Sequence, residues 1–400
     1  MKKLEQRVPN LRFKGFTDDW EQHKLGTLFQ KNIERNDNEK FNYNQTLSVS
    51  TMTFKPTGNG ASAKSLANYK VLRLGDVAFE GHSNKQFSYG RFVVNDNADG
   101  IMSPRFATIR PIKAININYW KNYLHNENIM KYVLVKSTKA GTMMNELVYS
   151  DLYKQVLKVP NITEQVKIGN LLQKIEIIIT LQQRKLDLLK QLKKGFLQKM
   201  FADKDSKRPV LRFKGFHDDW EQRKGKSIFY SKSNKDFPEL TVLSATQDKG
   251  MIPRSSTGID IKYEKKSLRG YKKIEPGDFV VHLRSFQGGF AYSDLTGIVS
   301  PAYTVFTFKQ PEMFNNYFWK EKFTSYNFIQ LLKKVTYGVR DGRSISYSDF
   351  LTLNEKFPVK VEQTKIADLF KIIDNLIALQ HQKLAKYQSV KKSLLQQMFI

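Results

Sequence analysis

Two long stretches of this 400-residue chain place sheltered positions at alternating three- and four-residue steps. In the first, Leu172, Ile175, Ile179, Gln182, Leu186, Leu189, Lys193, Phe196 and Met200 keep that rhythm; in the second, Phe370, Ile373, Ile377, Gln380, Leu384, Tyr387, Lys391, Leu394 and Met398 do. Such a repeat over about four heptads is the mark of helices that pair along a seam. Two long helices are therefore predicted, at 164–202 and 362–400. At 1.5 Å per residue, about 35 residues span roughly 52 Å. Pro160 and Pro358 precede them, where proline interrupts nothing. Two separate amphipathic helices, each packed on its own domain, would show the same periodicity. Polar breaks at the same two seam positions favour mutual pairing instead. It would run through Ile175, Ile179, Gln182, Leu186 and Leu189 on one side and Ile373, Ile377, Gln380, Leu384 and Tyr387 on the other. An antiparallel pair brings Gln182 opposite Gln380, and a polar pair in a seam costs stability but fixes register.

Outside these stretches the apolar runs are short. Segments 71–74, 91–94, 279–283 and 304–308 read as strands between Gly, Asn, Asp and Pro clusters, and 119–135 and 315–334 read as helices. The chain is also written twice. Leu11-Arg12-Phe13-Lys14-Gly15-Phe16 and Asp18-Asp19-Trp20-Glu21-Gln22 recur 200 residues later. Gly75-Asp76 answers Gly277-Asp278, Gly100-Ile101 with Ser103-Pro104 answers Gly297-Ile298 with Ser300-Pro301, and Tyr149-Ser150-Asp151 answers Tyr347-Ser348-Asp349. Glu164-Gln165 answers Glu362-Gln363 at an offset of 198. Each half thus runs from an opening motif through a mixed α/β (α+β) globule to a long helix, and the charged, proline-ended segment 202–209 reads as a linker.

Charge narrows the partner. Sixty-six Lys+Arg stand against 38 Asp+Glu, a formal net charge of +28. That excess points to a polyanion, nucleic acid before an anionic membrane surface. The absence of cysteine removes disulfides, thiol nucleophiles and Cys-based metal sites, and fits a reducing compartment. No uninterrupted apolar run approaches a membrane span, and residues 1–9 lack the apolar core of a signal peptide, so a cytoplasmic protein is expected.

The duplicated motifs resemble those of type I restriction–modification specificity subunits: the opening motif at 11–22 and 211–222, the Glu-Gln-x-Lys-Ile helix starts at 164 and 362, and the Leu-Gln-x-Met-Phe endings at 197–201 and 395–399. The resemblance covers nearly the whole chain. It implies two target recognition domains, at 1–163 and 203–361, separated by two antiparallel coiled-coil helices in a pseudo-twofold arrangement. Each domain would read one half of a bipartite site on double-stranded DNA. The helices would set the spacer and dock two modification (adenine methyltransferase) subunits, with restriction (translocase and endonuclease) subunits completing the complex. The chain itself would catalyse nothing and hold no cofactor or metal, S-adenosylmethionine coming with the modification subunits.

A search for catalysis agrees with that expectation. No Pro-Pro pair offers the turn that holds a flipped adenine, and no GxGxxG opens a helix after a strand. Gly58 with Lys64-Ser65 falls one glycine short of a phosphate loop, Asp260 with Glu264-Lys265-Lys266 matches a nuclease triad only superficially, and the six histidines show no metal spacing. Candidate base-reading residues lie where the two halves diverge inside matched frames, because Arg pairs best with guanine and Asn or Gln with adenine. One such place holds Ser83, Asn84, Lys85, Gln86, Tyr89 and Arg91, answered by Arg284, Ser285 and Gln287. The other holds Lys136, Lys139 and Thr142, answered by Tyr337, Arg340 and Arg343. Arg105, whose counterpart is Ala302, is added more weakly. Two alternatives stand beside the specificity subunit: a basic architectural protein without sequence preference, and a nuclease or methyltransferase with an unrecognised site.

Overall fold

The computed structural model describes residues 8–55, 60, 62–246, 249–257, 265–281, 289–332, 336–337 and 344–400. The chain divides into two compact units: Met1–Gln183 with Gln382–Ile400, and Arg184–His381. Each long helix, Ile162–Lys199 and Lys360–Gln397, is 38 residues long and contributes to both units.

In unit 1, four antiparallel strands lie in the order Phe29–Lys31, Ala107–Pro111, Val77–Glu80, Arg91–Val94. Unit 2 repeats that order with Phe229–Lys232, Thr304–Phe308, Phe279–Val281 and Phe290–Tyr292. The second strand pair is duplicated too: Lys70–Leu72 with Gly100–Met102, and Lys272–Ile274 with Gly297–Val299. The named strand pairs are all antiparallel, so each unit is α+β. Phe92 and Val94 are buried while Arg91 and Val93 are half-buried, the alternation of a one-sided strand; Val77, Ala78 and Phe79 are buried on both faces.

The apolar stretch 119–135 forms two helices, Ile117–Leu124 and Glu127–Ser137, and 315–334 likewise gives Asn316–Thr324 and Tyr326–Leu332. Asn126 makes the first break by accepting the amide of Asn128, a cap that outcompetes helix continuation. Ser325 occupies the equivalent break in an extended conformation.

The opening motif is a latch. Arg12 donates through Nε and Nη2 to Glu164 at 2.7 and 2.8 Å, and Glu164 is fully buried. Arg212 holds Glu362 at the same two distances. Lys167 lies over the Phe16 ring and Lys365 over Phe216. Gly15 and Gly215 carry φ of +95° and +97°, which only glycine adopts readily. The glutamine beside each latch glutamate donates to a proline carbonyl, Gln165 to Pro160 and Gln363 to Pro358. The repeated Glu-Gln therefore has one partner in the opening motif and one at the strand-to-helix corner.

The helix endings seal the cores. In unit 1 the Leu11 amide donates to the Gln397 carbonyl, and Phe399 packs on Tyr119 and Tyr123 with ring centroids 5.6 Å away in both cases. In unit 2 Leu211 donates to Lys199, and Phe201 packs on Phe318 and Phe370. Full burial of each phenylalanine stabilises by about 1.5–3 kcal/mol. Inside unit 1, Gln397 sits at the latch end with Glu164, and Lys391 donates to Glu176 further along, so the two helix segments run antiparallel there. Lys199, Glu362, Lys193 and Asp374 give the same sense inside unit 2. The seam residues of both helices are buried or half-buried, including Ile175, Ile179, Gln182, Leu186, Leu189, Ile373, Ile377, Gln380, Leu384 and Tyr387.

Candidate nucleic-acid interface

In unit 1 the candidates gather around two strand hairpins, although Lys136 belongs to the last turn of the helix Glu127–Ser137 and Arg91 and Lys139 to the flanking strands. Residues 81–90 join Val77–Glu80 to Arg91–Val94, and 140–145 form the tip between Thr138–Lys139 and Glu146–Leu147. The fold brings them together. The Asn145 amide donates to the Gly81 carbonyl at 2.9 Å, and its side-chain nitrogen donates to Ser83 Oγ at 2.9 Å. A Cβ on Gly81 would stand 2.0 Å from the Asn145 carbonyl oxygen, so only glycine permits this approach. Arg105 joins from a third turn, its guanidinium 3.6 Å from the sulfur of Met143 at the hairpin tip.

Within this cluster the candidates divide. The Asn84 side-chain oxygen accepts the amides of Gln86 and Phe87, and so shapes its own loop. Arg91 is half-buried, bonded to Glu80 at 2.6 Å and stacked over Phe87. Tyr89 packs against the core. Lys139 meets Glu146 at 3.3 Å. Lys85, Gln86, Lys136 and Thr142 are exposed or half-exposed, with Ser83 and Arg105 beside them. Asn145, which ties the loops, is not among the residues singled out by sequence; its place just before the Tyr-Ser-Asp motif is the available signal.

Unit 2 supplies the same frame: Phe279–Val281 with Phe290–Tyr292, and Thr336–Tyr337 with Ser344–Ile345. Arg284, Ser285, Gln287, Arg340 and Arg343 lie outside the described residues, as does the side chain of Tyr337. So do Gly58, Asp260 and Glu264. Among the described residues, no group of three or more His, Asp or Glu could hold a metal ion, and no helix is long and apolar enough to cross a membrane.

Charged clusters join the helices to the globules. Lys121 reaches Glu176 at 2.6 Å and Asp96 at 3.0 Å, while Lys391 reaches Glu176 at 2.8 Å. Burial opposes ionisation of Glu176, but the two lysines outweigh it and hold the carboxylate below its usual range. In unit 2 Lys193 meets Asp374 at 2.7 Å and buried Glu321 at 2.9 Å, and the Tyr317 hydroxyl donates to Asp374. Burial pushes the Tyr317 hydroxyl far up, reinforced by Asp374. These clusters hold elements together. The helices' outer faces differ: Leu181, Leu188, Leu192, Ile372, Leu376 and Leu379 are 45–58% exposed.

No protein-family model matches the chain. A curated relative from Methanocaldococcus jannaschii, named "Putative type I restriction enzyme MjaX specificity subunit", is 21% identical over 425 residues, covering 94% of this chain and 92% of that protein. Among solved structures, the type I restriction–modification S subunit from M. genitalium matches with a TM-score of 0.57 at 13% identity, covering 98% of this chain and 99% of that one. A chain from a structure concerned with complex assembly and conformational transition of the type I R-M system gives 0.51 at 14% identity, covering 94% and 96%. The chain is thus similar along almost its whole length to type I restriction–modification specificity subunits and shares the fold of those that have been solved.

Proposed function

We propose that the chain is the DNA-specificity subunit of a type I restriction–modification complex, with each globule, 1–163 and 203–361, reading one half of a bipartite site. The observation that carries this reading is the repeated frame with divergent loops. The strand order, latch and helix ending recur, while the segments expected to read bases differ in sequence. A formal charge of +28 supplies attraction to the DNA backbone. The helices 164–202 and 362–400 pair as an antiparallel coiled coil and set the spacer. In support, the step of 17 residues from Glu176 to Lys193 on one helix equals the step back from Lys391 to Asp374 on the other, as a single register requires. The exposed leucine and isoleucine faces dock two modification subunits. Those subunits bring the methyltransferase chemistry, and restriction subunits complete the complex in the cytoplasm.

The test is a comparison of genome-wide DNA methylation in cells carrying the modification subunit with and without this chain. A split adenine-methylated motif that appears only with the chain is expected. Methylation independent of the chain, or a motif with no spacer, contradicts the proposal.

A further inference from the structure

Beside the unit 1 loop cluster, and continuous with it through Asn145, lies a pocket of about 320 Å³. Lys31, Arg35, Lys70 and Arg105 line it together with Tyr149. Four cations in so small a space ordinarily draw in carboxylates. Here Lys31 sits over the Tyr149 ring, Arg35 donates to the Asn68 carbonyl, Lys70 to the Phe106 carbonyl, and Arg105 reaches the Met143 sulfur and lies over the Phe106 ring. Glu34, next to Arg35 in sequence, is occupied by Arg73 and Arg110. Glu146, also on the pocket wall, is paired with Lys139. Glu146 is thus the pocket's one lining carboxylate among the described residues, and the four lining cations outnumber it.

We propose that this pocket seats a phosphate of the DNA backbone and anchors unit 1 beside the bases that its loops read. The proposal rests on the reading of the chain as a DNA-specificity subunit. Lys70 supports it: the residue is 8% exposed, and burial lowers its ammonium to about 8, with Arg35 and Lys31 pushing the same way. A bound anion reverses that pressure. The duplication adds a contrast. Lys272 repeats the lysine and donates to the Tyr303 carbonyl, but Ser231 and Ala302 stand where unit 1 has Lys31 and Arg105. Unit 1 thus carries two cations that unit 2 lacks.

The experiment gives unit 1 the residues of unit 2. The full chain with its modification subunits is compared with the double variant Lys31→Ser/Arg105→Ala, and with each single variant. Binding is measured across a salt series on a labelled duplex carrying the mapped site and on a scrambled duplex. Removing each phosphate interaction should flatten the slope of log K against log salt by about 0.9. The proposal moves Arg105 from the candidate base readers to the DNA backbone, so the expected result is a shallower slope and weaker binding on both duplexes, with the methylated motif and melting temperature unchanged. Unchanged slopes overturn the proposal. So does a loss confined to the specific duplex with a relaxed motif, which makes the pocket a base reader. Stoichiometric binding of inorganic phosphate that the double variant abolishes while both slopes stay fixed marks a free-anion site and also overturns it. If the wild-type complex does not prefer its site over the scrambled duplex, the specificity reading fails, while the slope on the scrambled duplex still decides the pocket.

Discussion

Removing the latch arginine should expose how each globule is fastened to its helix. Glu164 is 0% exposed, and its two oxygens accept from Arg12 at 2.7 and 2.8 Å. Arg12→Ala leaves a buried carboxylate without its cation, a change that costs about 3–5 kcal/mol. The arginine side chain is itself 13% exposed, so water can enter the gap it leaves, and the lower end, about 3 kcal/mol, applies. Arg12→Lys keeps the charge and loses the fork, and should cost about 1–2 kcal/mol. Arg12→Met with Glu164→Gln removes both charges and should return to within about 1 kcal/mol of wild type. The assay is hydrogen exchange on peptides from 160–175 and 390–400, alongside urea unfolding. A local loss of about 3 kcal/mol speeds exchange through that opening roughly 150-fold. Arg212→Ala should produce the same effect inside unit 2. Unchanged protection in Arg12→Ala, or a charge-free pair no more stable than the single variant, would refute the reasoning.

Other outcomes follow from the same geometry. Unit 2 buries a Lys322–Glu355 ion pair where unit 1 has Tyr123 and Leu157. Glu355→Leu alone should cost about 3 kcal/mol, and Lys322→Tyr/Glu355→Leu should melt at or above wild type, because a packed apolar pair avoids desolvating two charges; calorimetry decides it. Glu176 is held below its usual value of 4.5, so its contribution is present above that pH and is lost as pH falls through the lower folded value. Protection near residues 176 and 391 should fall on acidification from about pH 5 to 3, and Glu176→Gln should flatten that profile. Gln182→Leu/Gln380→Leu should raise the melting temperature and loosen helix alignment, read by spin-label distances; a large loss of stability would contradict a register role.

Much of this was legible because duplication and heptad spacing are local signals. The residues at the three- and four-residue steps are buried or half-buried, and strands 91–94 and 304–308 appear as Arg91–Val94 and Thr304–Phe308. The helix breaks at Asn126 and Ser325 were hidden, since the apolar rhythm continues across a residue whose side chain or backbone stops the helix. What the motifs were for also lay beyond the sequence. Arg12 and Glu164 are 152 positions apart, and no periodicity links them. The same distance problem hid Asn145 against Gly81 and Ser83. It also hid the bonds that Asn84 makes within its own loop and the pairing of Arg91 with Glu80. Lys31, Arg35 and Lys70 come from separate segments and form a pocket only when folded.

The central claim, one reader per unit, is tested most directly by mapping the methylated motif for wild type, Gln86→Ala and Arg340→Ala under one set of conditions. The account predicts a split motif in wild type, relaxed in one half by the first variant and in the other half by the second, at about 1–3 kcal/mol for each base interaction removed. Relaxation of the same half by both variants, or an unsplit motif in wild type, would contradict it.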